Sequence, residues 1–471
     1  MKRDSIIILV LLLFSPLLTF AVEAKPNFVL FLADDLGWTG LSSFGSDLYE
    51  TPNLDRLAEQ GVKFTNAYAA CTVCSPSRAA IITGKYPARL HLTDFIAGQN
   101  RPFAKLKIPD WQKGLQHDEI TLAEALKEAG YKSAHVGKWH LHPSGGKSED
   151  FDPVDHGFDH QVFKPVSKNN FLTKTSGEFS KGDFITDYLA AEAVKVVDQW
   201  KDDPFFLYFA FHVPHTPVSG KAELVDEYAG KIQTNAKHQN PHYAAMVHSM
   251  DEAVGSVLGA LERNGLAENT VVVFTSDNGG LTQRFGKLDG FTDNSPLRRG
   301  KGSAYEGGVR VPQIIKWPGV TPAGTDCSEP VIGMDFYSTF LEMAGVTDEQ
   351  KQVDGVSLVP VLRNPGAELK REAIFWHYPH YHAGGDGPYS AVRARDWRLI
   401  HSFEEDSVSL YNLKSDPGEK SDLAAENPGK AESMFSILNE WRSKVGAQLP
   451  EANAAHDLKR ESEVQRKKKK K

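Results

Sequence analysis

Apolar residues along this chain form a few nearly unbroken runs separated by amphipathic stretches. The runs at 27–33, 205–211 and 270–276 are apolar at almost every position, which is typical of strands covered on both faces. Apolar positions at helical spacing predict helices around 51–58, 122–129, 187–200 and 243–263. This alternation predicts an α/β fold with a large, mostly parallel central sheet flanked by helices.

The pattern changes near residue 365, where short strand-like segments replace the long apolar runs. The segments at 397–402 and 408–413 flank an acidic turn and predict a small antiparallel sheet. A stripe of apolar residues at helical spacing follows, formed by Met434, Ile437, Leu438, Trp441 and Val445. We expect this stripe to pack a helix against the small sheet.

The N-terminus has the layout of a secretory signal peptide. Lys2 and Arg3 precede an apolar run at 6–20, and small residues follow as far as Ala24. The run is short for a membrane span and contains Pro16, so a retained anchor is the less favoured alternative. We expect a secreted or periplasmic protein with no membrane span once the signal is removed.

These patterns divide the chain of 471 residues into four predicted parts. They are a signal peptide at 1–24, a main domain at 25–365, a C-terminal subdomain at 366–453 and a charged, disordered tail at 454–471. The formal net charge of -8 offers no electrostatic footprint for nucleic acid, although the last residues are basic. A nucleic-acid partner is therefore not expected.

Cysteine is scarce: three residues in so long an exported chain do not make a disulfide framework. Cys71 and Cys74 spell C-x-x-C, which elsewhere marks a redox pair or half of a zinc site. A zinc site needs a second ligand pair, whereas the remaining cysteine is Cys327. A redox pair would leave the Pro-Ser-Arg that follows Cys74 without a role.

Polar side chains follow the buried runs at the points where strands should end. Asp34 and Asp35 follow the first run, and Asp277 and Asn278 follow the run at 270–276. Either pair alone is typical of an ordinary turn. Because ligands of open α/β sheets bind outside the carboxyl ends of strands, the two pairs together predict a hard-cation site. Calcium is the first choice and magnesium the second.

The segment Cys74-Ser75-Pro76-Ser77-Arg78, followed by Thr83-Gly84, resembles the segment that type I sulfatases present to their maturation enzyme. Pro76 suits a first helical turn, so an anion should dock beside Cys74 at a helix N-terminus. The resemblance implies the alkaline phosphatase superfamily fold and a sulfuric ester hydrolase. It also implies that a formylglycine-generating enzyme converts Cys74 to formylglycine (3-oxoalanine), whose hydrate is the nucleophile.

Further segments resemble the same family, and the resemblance implies their roles. Lys138 and Lys301 would bind the sulfate oxygens, and Arg78 would help the metal polarise the nucleophile. His140 would contact the formylglycine hydroxyl and take its proton, while His215 would protonate the departing alcohol. The implied metal ligands are Asp34, Asp35, Asp277, Asn278 and the modified Cys74.

The substrate is less clearly indicated. We expect a sulfated, polysaccharide-derived sugar, and the candidate contacts are His212, Arg284, Lys287, His380 and His382. A histidine-rich surface loop without a ligand is an equally good interpretation of 377–382. Two other functions stay open: a phosphate or phosphonate ester hydrolase of the same superfamily, and a non-catalytic binder of sulfated glycans if Cys74 is unmodified.

Overall fold

The computed structural model describes residues 25–143, 149–162, 167–282, 290–347 and 352–468. The predicted signal peptide lies outside these ranges. Within them, no helix combines the length and apolar character that a membrane span requires.

The strands belong to several sheets and are numbered in chain order. They are β1 (Asn27–Ala33), β2 (Val62–Phe64), β3 (Ala67–Tyr68), β4 (Leu106–Lys107), β5 (Lys132–Gly137), β6 (His160–Val162), β7 (Ser167–Lys168), β8 (Phe171–Leu172), β9 (Phe205–Ala210), β10 (Thr270–Ser276), β11 (Gln313–Lys316), β12 (Thr325–Cys327), β13 (Val331–Ile332), β14 (Ile374–Tyr378), β15 (Tyr389–Ala394), β16 (Trp397–Ser402), β17 (Ser407–Asn412) and β18 (Glu451–Ala452).

The α-helices are numbered in the same way. They are α1 (Pro52–Gln60), α2 (Cys74–Thr83), α3 (Pro87–Leu90), α4 (Leu122–Lys127), α5 (Ile185–Gln199), α6 (Ala222–Lys231), α7 (Pro241–Arg263), α8 (Glu306–Val309), α9 (Asp335–Ala344), α10 (Val359–Arg363), α11 (Pro428–Val445) and α12 (Leu458–Lys468). Short 3₁₀ turns occupy Ser42–Phe44, Glu149–Phe151, Pro153–His156 and Ala267–Asn269.

Eight strands form the central sheet, in the order β12-β2-β11-β10-β1-β9-β5-β6. Neighbouring strands run parallel except where β11 pairs with β10 and β2, so the sheet is mixed but mostly parallel. The predicted fold class is confirmed. The antiparallel β11 was not predicted, because an apolar run carries no information about strand direction.

The sheet is covered on both faces, which explains its unbroken apolar strands. Val29 and Phe31 of β1 face a core built with α1, α5, α6 and α7. Their neighbours Phe28 and Leu30 face a second core built with α2, α4, α9 and α10. Alternate side chains of a strand point to opposite faces, so both sets must be apolar here.

The C-terminal segment forms a separate antiparallel sheet in the order β14-β15-β16-β17. Helix α11 packs on it through Met434, Leu438 and Trp441, in a third core that also includes residues of α2 and α3. In the part of the tail that the structure describes, Leu458–Lys468 is helical. Glu461 of this helix lies 3.8 Å from Arg101, an ion pair that the tail composition does not reveal.

Candidate active site

Four adjacent parallel strands deliver polar side chains to one edge of the central sheet. These strands are β10, β1, β9 and β5, and each is followed at its carboxyl end by candidate residues. The side chains that follow β1, β9 and β5 line a cavity of about 520 Å³. Parallel strands end on the same side, so segments distant in sequence meet there.

Cys74 begins α2 and lies against this cavity. Val73 before it is extended, and Ser77 secures the preceding turn by bonding both the N–H and the carbonyl of Cys71. Cys74 therefore sits at the positive end of the helix dipole, where free N–H groups favour an anion. All three cysteines are free thiols, so Cys71 and Cys74 form no disulfide here.

Two carboxylates and two lysines surround the sulfur. Cys74 Sγ lies 3.6 Å from Asp34 Oδ1 and 3.9 Å from Asp35 Oδ1. Lys138 Nζ lies 2.5 Å from Asp34, and Lys301 Nζ lies 2.6 Å from Asp35 and 3.4 Å from the sulfur. Burial by itself would raise the pKa of Asp34, but Lys138 and nearby cations hold that pKa well below its ordinary value. The cluster is therefore ionised at neutral pH.

Arg78 is held on the neighbouring turn of α2 and is buried. Its Nε and Nη2 donate to Asp277 Oδ2 at 2.9 and 2.7 Å, and its Nη1 donates to the Lys138 carbonyl at 2.8 Å. Arg78 Nη2 also lies 3.6 Å from Asp34. The guanidinium thus connects the ends of β1, β5 and β10 and places a fixed positive charge near Cys74.

The donor atoms fit a hard divalent cation. One ligand atom from each of Asp34, Asp35, Cys74 and His215 lies within 4.8 Å of the others. Asn278 donates its amide N–H to Asp35, and its fully buried Oδ1 has no hydrogen-bond partner among the described residues. An orphaned amide oxygen beside carboxylates suits calcium or magnesium. Asp277 lies beside these groups: its Oδ1 accepts from the Asp35 N–H and its Oδ2 accepts from Arg78, and Oδ1 keeps a lone pair for the ligand role predicted for Asp277.

The histidines assigned to proton transfer have defined tautomers. The Ile96 carbonyl can only accept, so His140 donates to it from Nε2 at 2.6 Å. In the same way His215 donates from Nδ1 to the Thr216 carbonyl at 2.6 Å, and its Nε2 points toward Asp35 at 3.6 Å. Burial first, and Lys138 second, keep the pKa of His140 well below its ordinary value, so this imidazole is neutral.

Backbone conformation in the site is unusual. Asp35 and His140 both have positive φ, at 65° and 59°, which is uncommon for residues with a side chain. Gly137 before Lys138 has a φ of 102°, and a Cβ there would lie 1.8 Å from the Ala210 carbonyl oxygen. Only glycine therefore lets β5 end close enough to β9 to place Lys138 and His140 in the cavity.

The predicted substrate contacts separate into three groups. His212 and His382 line the cavity, whereas His380 is buried outside its lining and bonds Thr93 Oγ1. Arg284 and Lys287 lie outside the described residues. On the loop after β14, the side chain of His380 points to Thr93 and away from the cavity. The spacing of histidines in the sequence does not determine that direction.

Several cavity-lining residues were missed by sequence reasoning. They are Phe95, Gln99, Ser167, Asn169, Asn170, Thr216, Pro217 and Leu281. Most belong to no motif, because loops reach a cavity through tertiary packing. The Asn169-Asn170 pair carried a weak signal, since adjacent asparagines mark turns and both have positive φ here.

Comparison with known proteins agrees with this site. A sulfatase family model matches residues 26–346, and a model of the C-terminal part of N-sulphoglucosamine sulphohydrolase matches residues 300–448. A sulfatase of Formosa agariphila is 34% identical over 96% of this chain and 95% of its own length. Human N-acetylgalactosamine-6-sulfatase is 30% identical, covering 90% and 86%.

A solved structure is similar as well. Ps i-CgsB, crystallised in complex with k-i-k-neocarrahexaose, superposes with a TM-score of 0.74 at 30% identity and covers 95% of this chain and 98% of its own. Together with the family model, these matches extend over nearly the whole described chain. The chain therefore belongs to the sulfatase family and is a sulfuric ester hydrolase.

Proposed function

We propose that this enzyme is an exported sulfatase that removes sulfate from sulfated sugars derived from polysaccharides, with formylglycine at position 74 and a bound calcium ion. The observation that carries the proposal is the position of Cys74. Its sulfur lies at the start of α2 within 4 Å of Asp34, Asp35 and Lys301, on the wall of an open cavity. No packing role requires ionised groups around a buried thiol.

A sulfate monoester needs cations on its equatorial oxygens, an oxygen nucleophile in line and an acid on the far side. Lys138 and Lys301 supply ammonium groups on two sides of position 74, and Arg78 adds a fixed charge. Formylglycine would supply the oxygen nucleophile, and the metal, held by Asp34, Asp35, Asp277 and Asn278, would polarise it. Magnesium is the second choice of ion.

Two histidines divide the proton transfers. His215 has its Nδ1 proton committed to Thr216, so it acts as an acid in its doubly protonated form, in which Nε2 carries the second proton and delivers it to the leaving alcohol. His140 is neutral and has its Nε2 proton committed to Ile96, so Nδ1 is the atom that accepts one. General acid and base groups placed in this way each contribute about 10²- to 10⁴-fold.

The relatives and the cavity both support a sulfated-sugar substrate. One relative carries the name N-acetylgalactosamine-6-sulfatase, and another was solved with k-i-k-neocarrahexaose bound. In this chain the cavity lining also carries Gln99, Asn169 and His382, which suit hydrogen bonds to sugar hydroxyls. We propose a sulfated oligosaccharide as the substrate and export as the route by which the enzyme reaches it.

Mass spectrometry of the exported protein tests the proposal first. Loss of sulfur and gain of oxygen at Cys74 would show formylglycine and the action of a maturation enzyme. Sulfate release from sulfated galactan and glycosaminoglycan oligosaccharides is then compared with phosphate release from the corresponding phosphate esters. Preference for phosphate would favour the phosphatase alternative. A thiol in native material, with glycan binding and no release, would favour the binding protein.

Metal binding is tested apart from turnover. We expect Ca²⁺ at 100 times its Kd to raise the free energy of unfolding of chelator-treated enzyme by about 2.7 kcal/mol. Asn278→Ala should lose most of this shift, whereas Asn169→Ala, a cavity asparagine outside the carboxylate cluster, should keep it. Equal shifts in both variants would remove Asn278 from the ligand set.

A further inference from the structure

The loop at 93–99 separates the catalytic histidine from the C-terminal sheet. It contributes Phe95 and Gln99 to the cavity wall, and the carbonyl of Ile96 accepts the Nε2 proton of His140 at 2.6 Å. Ser75, next to Cys74, accepts the Ile96 N–H at 3.1 Å. The backbone carbonyl of Ile96 thus contacts His140, and its backbone N–H contacts the residue next to Cys74.

Asp94 fixes the position of this loop and does not line the cavity. Its side chain is fully buried, and Oδ1 accepts the Phe95 N–H at 2.9 Å and the Tyr378 hydroxyl at 2.7 Å. Tyr378 is the last residue of β14 in the C-terminal sheet. The loop is therefore fixed between α2 on one side and that sheet on the other.

A hydrogen bond from His380 completes the anchor. His380 donates to or accepts from Thr93 Oγ1 at 2.8 Å, and its ring packs edge-on against Tyr378 and Trp111. Burial raises the pKa of Asp94 to about 7, so its neutral form is well populated in a site that offers it few cations. Burying this carboxyl is unfavourable, and the hydrogen bonds that it accepts from Phe95 and Tyr378 offset part of that free energy.

The position of the Ile96 carbonyl determines which nitrogen of His140 is basic. A neutral imidazole carries one proton, and a carbonyl at Nε2 holds it there. Nδ1 is buried and has no hydrogen-bond partner among the described residues, and His140 lines the same cavity as Cys74, so the lone pair of Nδ1 is available to accept a proton there. A displaced loop would release the other tautomer, whose Nδ1 bears hydrogen and cannot act as a base.

We propose that Asp94 and Tyr378 are positioning residues for catalysis: they hold the loop at 93–99 so that Ile96 keeps His140 in the Nε2–H tautomer. The proposal rests on the function proposed above, because it assigns His140 the part of base. It also gives the C-terminal sheet a role in chemistry, since Tyr378 connects that sheet to the base through three hydrogen bonds and one peptide segment.

Histidine NMR tests the positioning without any turnover. In enzyme labelled with ¹⁵N-histidine, a long-range ¹H–¹⁵N spectrum distinguishes the two tautomers, and His140→Gln assigns the signal of His140. We expect Nε2–H in the native protein and a mixture of tautomers in Asp94→Ala and Tyr378→Phe. Tyr389→Phe is the matched control, because this tyrosine of the same sheet bonds the Ser303 carbonyl instead. Its His140 signal should be native.

Kinetics supplies the second readout. Asp94→Ala should lower kcat by about 10- to 10²-fold with a smaller change in KM, because the base and not the substrate is misplaced. Tyr378→Phe removes one hydrogen bond and should lower kcat by about 2- to 10-fold. Asp94→Asn keeps the accepting oxygen and should restore most of kcat.

The outcomes separate this proposal from the sulfatase proposal. An unchanged Nε2–H signal in both Asp94→Ala and Tyr378→Phe would overturn the positioning role, as would an Nδ1–H signal in the native enzyme. If Asp94→Ala does not fold, Tyr378→Phe still decides. A native enzyme without sulfatase activity, but with the expected tautomer shifts, would overturn the proposed function and leave the positioning of His140 intact.

Discussion

This molecule contains two clusters of buried charged residues, which differ in their surroundings. The site cluster, formed by Asp34, Asp35, Arg78, Lys138, Lys301 and Asp277, borders the cavity. The junction cluster, formed by Glu306, Arg310, Arg398 and Glu419, joins the main domain to the C-terminal sheet. Both depart from the rule that proteins keep charges in water.

The junction cluster is sealed. Arg398 is fully buried, donates to Glu306 at 2.9 Å and lies 3.3 Å from Glu419. Glu419 in turn accepts the Glu306 N–H at 2.7 Å. Tyr68 adds a hydrogen bond to Glu306. Most groups of the cluster bond one another, although Arg398 Nε and Glu419 Oε1 make no hydrogen bond within the described residues.

The site cluster keeps free capacity. Asn278 Oδ1 and His140 Nδ1 have no hydrogen-bond partner among the described residues, and Lys138 and His215 are half-buried beside the cavity. Perturbed pKa values occur in both clusters, so they do not by themselves identify a catalytic site. The open volume beside the site cluster makes the distinction.

The largest effect should separate the two cysteines near the site cluster. Cys74→Ala should lower sulfatase kcat by more than about 10⁴-fold, because it removes the proposed nucleophile. Cys71→Ala, an equally buried neighbour, should leave most of the activity. Sulfate release and circular dichroism on both variants check this prediction, and comparable activities would exclude Cys74 as the nucleophile.

The junction should matter more for stability than the site. Arg398→Ala leaves Glu306 and Glu419 buried without their cation and should lower the free energy of unfolding by about 3–5 kcal/mol. Lys138→Ala should cost less stability, since the freed Asp34 borders a cavity that admits water. Urea denaturation measures both variants. A larger loss in Lys138→Ala would contradict the contrast drawn between the clusters.

The junction should also make stability depend on pH. Burial raises the pKa of Glu419 to about 8 in spite of Arg398, and the charge of Glu306 adds to the rise. A raised folded-state pKa stabilises most below the unfolded value, near 4.5, and this stability is lost as pH rises toward 8. Glu419→Gln should flatten the slope by at most about 1.4 kcal/mol per pH unit. Thermal or urea unfolding at about pH 5 to pH 8, between the unfolded and the folded pKa of Glu419, checks this prediction. An unchanged slope in Glu419→Gln would contradict it.

The smallest effect concerns a residue that the C-terminal loop delivers to the site. His382 packs over Gly302, where a Cβ would lie 1.9 Å from its ring, and it lines the cavity next to Lys301. His382→Ala should raise KM for the sulfated oligosaccharide by about 2- to 10-fold, as expected for one lost hydrogen bond. Steady-state kinetics measures it, and an unchanged KM would remove His382 from the substrate contacts.

Much of the local structure was predictable because it follows from local patterns. The runs at 27–33 and 270–276 became β1 and β10 with the predicted bounds, and α2 begins at Cys74. Strand ends marked by Asp34 and Asp277 were readable because a buried strand must end before its polar residues. The family motif at 74–84 indicated the chemistry, because its spacing places the Cys74 sulfur and the Arg78 guanidinium on one helix.

Other features depended on contacts between distant segments. The antiparallel β11, the helical tail and the loop at 93–99 leave no periodic signal, because their neighbours come from remote parts of the chain. Sequence by itself determined the family, the strand and helix pattern and the set of candidate groups. Tertiary structure decided which groups meet: it placed His382 in the cavity, kept His380 out of it and gave His140 its proton acceptor at Ile96. Such choices rest on hydrogen bonds and packing of a few ångströms, which no one-dimensional pattern encodes.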